Sequence, residues 1–71
     1  MDITVIRMKD VDVLTGQWRA SNTQRRPSGT GLWRFAVGDR EVTSYGLYSE
    51  AVRVAKRAAA REGARVIELL P

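Results

Sequence analysis

The stretch that decides the fold is "GLWRFAVGDREVTSYG", residues 31 to 46. Trp33, Phe35 and Val37 recur at every second position, with Arg34 between them, and this is the period of a strand with one buried face. The "GDR" that follows is typical of a tight turn, and "EVTSYG" continues as a second strand. The sequence therefore predicts a β-hairpin.

Downstream of the hairpin, residues 49 to 62 predict an α-helix. Ser49 is placed to accept hydrogen bonds as N-cap, Glu50 suits the positive end of the helix dipole, and Gly63 supplies a left-handed stop. The predicted buried face is mostly alanine and comprises Ala51, Val52, Val54, Ala55, Ala58 and Ala59. Small side chains let a helix lie close to a sheet, so the bulk of the core is expected from Trp18, Trp33, Phe35, Val66 and Leu69.

The rest of the chain predicts further strands and one loop. "ARVIELLP" favours a strand from Ala64 to Leu70, "DITVIRM" (residues 2 to 8) another, and "KDVDVLTG" with "GQWRAS" further extended segments. Residues 21 to 31 are polar and predict a mobile loop. We expect one α+β domain over residues 1–71: a small antiparallel sheet of four or five strands with a single helix on one face, in the order β-β-β-β-α-β.

Composition narrows the functional classes. The 71 residues contain neither cysteine nor histidine, which excludes disulfides, thiolate or imidazole metal sites and nucleophiles activated by histidine. No apolar run approaches the roughly 20 residues that span a bilayer, so we expect a cytoplasmic protein with no membrane contact and no cofactor. The net charge of +4 favours acidic partners.

A basic stripe on the predicted helix is the leading candidate site. Arg53, Arg57 and Arg61 follow one another at four-residue spacing, with Lys56 beside them. Like charges at that spacing repel, so a purely structural helix would more often interleave acids, although a solvated face remains the alternative. Three more residues are predicted to join the partner-binding surface: Arg25 and Arg26 in the loop, and Tyr48 as an exposed aromatic residue at the helix start.

Two other sets of residues are candidate sites. The aromatic residues of the strands could stack on unpaired bases, but a chain this short needs them in its core. Asp10 and Asp12 would share one side of a strand and could hold a magnesium ion, which would make the chain a metal-dependent enzyme. Because no third carboxylate and no glycine-rich phosphate loop accompany them, the sequence predicts a non-enzymatic protein.

The second half of the chain resembles a family of short, uncharacterised bacterial and phage proteins. They share a tryptophan-bearing strand, a glycine turn, a strand, a Ser/Thr-x-x-Glu-Ala helix and a Gly-Ala strand. The positions that carry this resemblance span residues 31–69 and are Trp33, Val37, Gly38, Ser49, Glu50, Ala51, Ala55, Ala59, Gly63 and Ala64. The resemblance implies a β-β-α-β architecture and no particular activity, and this chain departs from the family in its "ELLP" ending and its first 30 residues.

The expected function is binding. Small proteins of this kind also resemble the accessory proteins of phages and mobile elements, including anti-CRISPR inhibitors, which implies a chain that binds and inhibits a nucleic-acid-handling complex. The expected partner is an acidic protein or nucleoprotein complex, with direct DNA or RNA binding as the alternative and a structural oligomerisation domain as a further one. The N-terminal strand or the final "VIELL" strand could also form a homodimer through a sheet edge.

Overall fold

A computed structural model describes residues 6–71 and shows a four-stranded mixed sheet with one main helix on one face. The strands are β1 (Asp12–Leu14), β2 (Thr30–Val37), β3 (Arg40–Leu47) and β4 (Val66–Leu69), in the spatial order β1-β4-β2-β3. The helices are α1 (Gly16–Ser21) and α2 (Tyr48–Glu62), and a 3-10 turn, Met8–Asp10, precedes β1. The predicted α+β class, with its helix at about residues 49–62, is confirmed.

The β2–β3 hairpin forms where the sequence predicts it. The two strands pair antiparallel along their full length, from Thr30 opposite Leu47 to Val37 opposite Arg40. Gly38 and Asp39 form the turn between them, and Gly38 has a φ of 61°, a left-handed conformation that a side chain would disfavour. The glycine in the "GDR" segment therefore sets the position of the turn and, through it, the register of the hairpin.

The core lies between the sheet and α2. Phe35, Val37, Ile67 and Leu69 are fully buried on the sheet side, and Trp33 is nearly so. The helix contributes alanines at four-residue spacing, which are also fully buried: Ala51, Ala55 and Ala59. Because these side chains are small, the helix axis approaches the sheet closely and the strand residues fill the space between.

The sheet is mixed, so the predicted all-antiparallel arrangement is wrong at one strand. β4 pairs antiparallel with β2 through Phe35 and Leu69, but β1 runs parallel to β4, with Asp12 opposite Val66. A parallel neighbour needs a long connection, whereas a hairpin needs only a short one. Here α1 and the loop of residues 22–29 carry the chain from β1 past β4 to β2.

Two predicted strands near the N-terminus are not strands in the described part of the chain. "GQWRAS" forms the short helix α1, in which the Arg19 backbone N–H donates to the Thr15 carbonyl at 2.9 Å. Gln17, Arg19 and Ala20 are good helix formers, and the helix is held in place by packing of Trp18 on Trp33, whose ring centroids lie 5.6 Å apart. Most of the predicted strand at residues 2–8 lies outside the described residues, and its end continues into the 3-10 turn. Three strands, not four, therefore precede α2 in the described chain.

The two ends of α2 are capped differently from each other. Gly63 ends the helix in the predicted left-handed conformation, with a φ of 73°, and Ala64 donates its backbone N–H to Ala59 at 2.9 Å. The predicted N-cap, Ser49, is wrong because the helix begins one residue earlier, at Tyr48. The Tyr48 backbone N–H donates to the Gly29 carbonyl at 2.9 Å, so the loop before β2 supplies the cap that a serine side chain was expected to supply.

Five residues predicted for the core lie outside it or at its edge: Trp18, Val52, Val54, Ala58 and Val66. Val66 is 43% exposed because Ile67 and Leu69 occupy the inward positions of β4. Successive residues of a strand point to opposite faces, so Val66 points away from the core. Val54 is 44% exposed on α2. Trp18 is only half-buried, at the edge of the core.

Candidate functional site

The predicted basic stripe occupies the side of α2 that faces away from the sheet. Arg53, Arg57 and Arg61 are exposed and Lys56 is half-buried. Each arginine follows a buried alanine by two residues, and two residues correspond to about 200° of rotation on a helix. The same spacing that buries the alanines therefore places the arginines in solvent.

The stripe is not neutralised by the chain itself in the part that the structure describes. The salt bridges among residues 6–71 join Arg34 to Glu41 at 3.8 Å and Arg40 to Glu62 at 3.2 Å, and neither includes a residue of the stripe. Like charges one turn apart destabilise a helix by a few tenths of a kcal/mol per pair. This arrangement thus costs some stability and leaves the positive charge available to a partner.

A groove lies beside the stripe, between the 3-10 turn and the first half of α2. It has a volume of about 280 Å³ and is lined by Met8, Lys9, Ser49, Val52, Arg53 and Lys56. Three cationic groups and one hydroxyl can donate hydrogen bonds to an anion there, while Met8 and Val52 offer apolar contact. The groove is therefore suited to an acidic group attached to an apolar one.

Lys9 is a residue that sequence reasoning missed. It lies 44 positions before Arg53 in the chain, and only the packing of the 3-10 turn on α2 brings it to the groove. The positive charge of Lys9 was the signal available in the sequence, but nothing local to it indicates a partner 44 residues away.

The predicted loop residues are not part of the groove. Arg25 and Arg26 are exposed in the loop of residues 22–29 and line neither the groove nor the stripe. The first half of this loop is fastened to α1, because the Gln24 backbone N–H donates to the Arg19 carbonyl at 2.6 Å and the Asn22 side chain donates to the Trp18 carbonyl at 2.7 Å. The loop meets α2 at Gly29, next to the helix start.

Tyr48 was predicted as the exposed aromatic residue, and this prediction is wrong. Its ring packs edge-on against Trp33 at 4.9 Å and lies 6.2 Å from Phe35, because position 48 shares the inner face of α2 with Ala51 and Ala55. Burial raises the pKa of the Tyr48 phenol. The exposed aromatic residue is Tyr45, which is 78% exposed on β3.

The two aspartates weighed as a metal site lie in different elements. Asp10 ends the 3-10 turn and Asp12 begins β1, so the shared strand face that motivated their pairing does not exist. Among residues 6–71 there is no cluster of three or more carboxylate, imidazole or thiol side chains that could hold a metal ion.

Comparison of the chain with family models, with curated proteins and with solved structures finds no match in any of the three. Within the described residues, no helix is long and apolar enough to cross a membrane.

Proposed function

We propose that this chain is a non-enzymatic binding protein that engages an acidic partner through a basic surface, defined as Lys9, Arg53, Lys56, Arg57 and Arg61. One observation carries the proposal: these five cations share one side of the molecule, and no salt bridge within residues 6–71 neutralises any of them. Exposed positive charge that is not paired with acidic residues of the same chain favours association with a negatively charged partner.

The partner that we favour is an acidic protein or nucleoprotein complex, in the manner of a phage accessory protein that inhibits a nucleic-acid-handling complex. The groove supports this choice because Met8 and Val52 place apolar surface beside its three cations. A site that binds only phosphate groups needs hydrogen-bond donors and no apolar surface. An acidic side chain on a partner protein, in contrast, is surrounded by apolar side chains that also make contact. The groove holds about 280 Å³, which is room for one or two side chains.

Direct nucleic-acid binding is a second candidate, and the spacing of the stripe supports it. From Arg53 to Arg61 the helix rises about 12 Å, at ~1.5 Å per residue. A nucleic-acid strand carries a phosphate about every 3.4 Å along a duplex axis, so the stripe spans three or four phosphates. Such contacts would bind without selecting sequence.

The test is fluorescence anisotropy with short double-stranded DNA, single-stranded DNA, RNA and a Glu/Leu-rich peptide, each over a salt series. Arg57→Glu is expected to weaken binding at least tenfold, because it reverses the central charge of the stripe. Arg65→Glu is the matched control, since Arg65 is an exposed arginine outside the basic surface and the substitution changes the net charge equally.

The outcomes separate the two candidates and can exclude both. Binding to nucleic acid with a log–log salt slope of about −3 to −5 would select the second candidate. Binding to the acidic peptide alone would select the first. No binding to any probe at low salt, or equal loss in the Arg57→Glu and Arg65→Glu proteins, would contradict the proposal.

A further inference from the structure

The groove beside the stripe combines positive charge from two elements of the fold. Lys9 comes from the 3-10 turn, Arg53 and Lys56 come from α2, and Ser49 adds a hydroxyl. Around the axis of α2 the last three of these lie within about 60° of one another, at ~100° per residue. A group bound in the groove therefore meets hydrogen-bond donors from the turn on one side and from the helix on the other.

The described residues leave the positive charge of the groove without a neutralising carboxylate. Glu50 lies three residues before Arg53, a spacing at which ion pairs form on a helix. Its Oε2 instead lies on the side of β3, where it would be 3.7 Å from a Cβ at Gly46. Asp10, next to Lys9 in the 3-10 turn, is exposed and does not line the groove. The salt bridges of residues 6–71 include none of the three cations.

The number of charges favours a phosphate group over a carboxylate as the occupant. A phosphorylated side chain carries a charge of about −1.5 to −2 at neutral pH and three acceptor oxygens, whereas a carboxylate carries a single charge on two oxygens. A carboxylate would leave much of the repulsion among three neighbouring cations uncompensated. A phosphate offers one oxygen to each cation, and the Ser49 hydroxyl can donate a further hydrogen bond.

The size and the apolar lining of the groove narrow the carrier of the phosphate. The volume of about 280 Å³ is below that of most pockets that enclose a drug-sized ligand, which start at roughly 300 Å³. The groove therefore fits a phosphate on a short stem better than a nucleotide. Met8 and Val52 offer apolar contact to that stem. The methyl group of phosphothreonine can make this contact, whereas the phosphates of a nucleic acid are joined to polar sugars.

We propose that the groove binds a phosphorylated serine or threonine side chain of the partner protein. The three cations contact the phosphate oxygens, and Met8 and Val52 pack against the stem. The inference rests on the proposed function, because the phosphate is one of the acidic groups that the basic surface engages. Arg57 and Arg61 lie outside the groove and contact acidic residues elsewhere on the partner. Phosphorylation of the partner therefore regulates its binding to this chain.

Fluorescence anisotropy with three peptides of one Glu/Leu-rich sequence tests the proposal. The peptides carry phosphothreonine, glutamate or threonine at the same central position, and all titrations use one ionic strength. The phosphothreonine peptide is expected to bind about tenfold more tightly than the glutamate peptide, because it gains charge-assisted hydrogen bonds in the groove. The threonine peptide is expected to bind most weakly.

Substitutions locate the phosphate in the groove. Lys9→Gln and Lys56→Gln are each expected to reduce the preference for phosphothreonine over glutamate by about threefold or more. Arg61→Gln is the matched control, because it removes one positive charge from the basic surface outside the groove. It is expected to weaken the binding of both peptides by the same factor and to leave the preference unchanged. Thermal melting of each variant checks that the fold is intact.

The outcomes separate this inference from the proposed function. Equal affinities for the phosphothreonine and glutamate peptides overturn the inference and leave the proposed function standing, as does a preference that Lys9→Gln and Lys56→Gln do not reduce. A preference that depends on these two lysines but not on Arg57 supports the inference and contradicts the wider basic surface. Binding that depends on the two lysines only for an oligonucleotide with a terminal phosphate overturns the inference in favour of nucleic acid. No binding to any of these probes overturns both.

Discussion

Both faces of the β2–β3 hairpin carry large apolar side chains, yet only one of them is covered. On the inner face Trp33, Phe35 and Val37 are buried beneath α2. On the outer face Leu32 and Tyr45 remain exposed, although they belong to the same two strands. Hydrophobicity alone does not explain why only one face is covered. The single helix α2 presents alanines to the sheet and arginines to solvent, so it can cover only one face.

The two faces have different consequences for the chain. The inner face contributes to the stability of the fold, since removal of its side chains would leave cavities that the surrounding structure cannot fill. The outer face contributes little to stability, and its apolar residues are available for association. Substitutions on the two faces should therefore separate folding from binding.

The largest expected effect is that of Phe35→Ala on the inner face. Phe35 is fully buried at the centre of the core, and truncation of a buried phenylalanine typically costs about 3–5 kcal/mol. A 71-residue domain has little stability beyond that, so we expect a largely unfolded protein at 37 °C. Leu32→Ala, three residues earlier on the outer face, is expected to change the free energy of unfolding by less than about 0.5 kcal/mol.

Urea denaturation monitored by tryptophan fluorescence and circular dichroism measures both variants. Equal losses of stability in the Phe35→Ala and Leu32→Ala proteins would show that both faces of the hairpin contribute equally to the stability of the fold, contrary to our expectation. A stable Phe35→Ala protein would mean that α2 relaxes into the space that the ring leaves.

A smaller effect is expected where α2 meets the sheet. Ala55 is fully buried between α2 and the sheet, and Ala55→Leu adds three carbons there. Overpacking of this kind typically costs about 1–3 kcal/mol. Ala58→Leu is the control, because Ala58 is only half-buried on the same helix and gains the same side chain. If the melting temperatures of the two variants fall equally, the close approach of helix and sheet does not depend on alanine at position 55.

The sequence predicted those parts of the fold that local residues decide. The alternation from Trp33 to Val37 and the glycine at position 38 define the hairpin. Gly63 ends α2 because glycine adopts the left-handed conformation without strain. These features need no information from distant parts of the chain. The basic stripe on α2 was predicted for the same reason, since helical spacing alone places Arg53 and Arg57 on the outer side.

The parts that the sequence did not predict depend on contacts between distant segments. Val66 and Ile67 are both β-branched, so composition cannot say which points inward, and the pairing of Ile67 with Val37 decides it. Trp18 lies in a short helix that packs on Trp33, and this contact joins segments that are distant in the sequence. Lys9 reaches the groove only through the packing of the 3-10 turn on α2.

The smallest expected effect concerns the outer side of α2, where stability and binding should change in opposite directions. Arg57 lies one turn from both Arg53 and Arg61, so Arg57→Glu replaces two repulsive pairs with two attractive ones. Each lost repulsion and each new attraction contributes about 0.2–0.5 kcal/mol, so we expect the free energy of unfolding to rise by up to about 2 kcal/mol at low salt. The same substitution is expected to weaken binding to the acidic partner at least tenfold.

Urea denaturation at two ionic strengths measures this gain, which should shrink as salt screens the charges. Arg57→Gln is the control, because it removes the repulsion without adding attraction and should stabilise the fold by a smaller amount. A loss of stability in the Arg57→Glu protein would mean that Arg57 already has a favourable contact within the chain. The basic surface would then be part of what holds the fold together, and the reason for expecting an external partner would be gone.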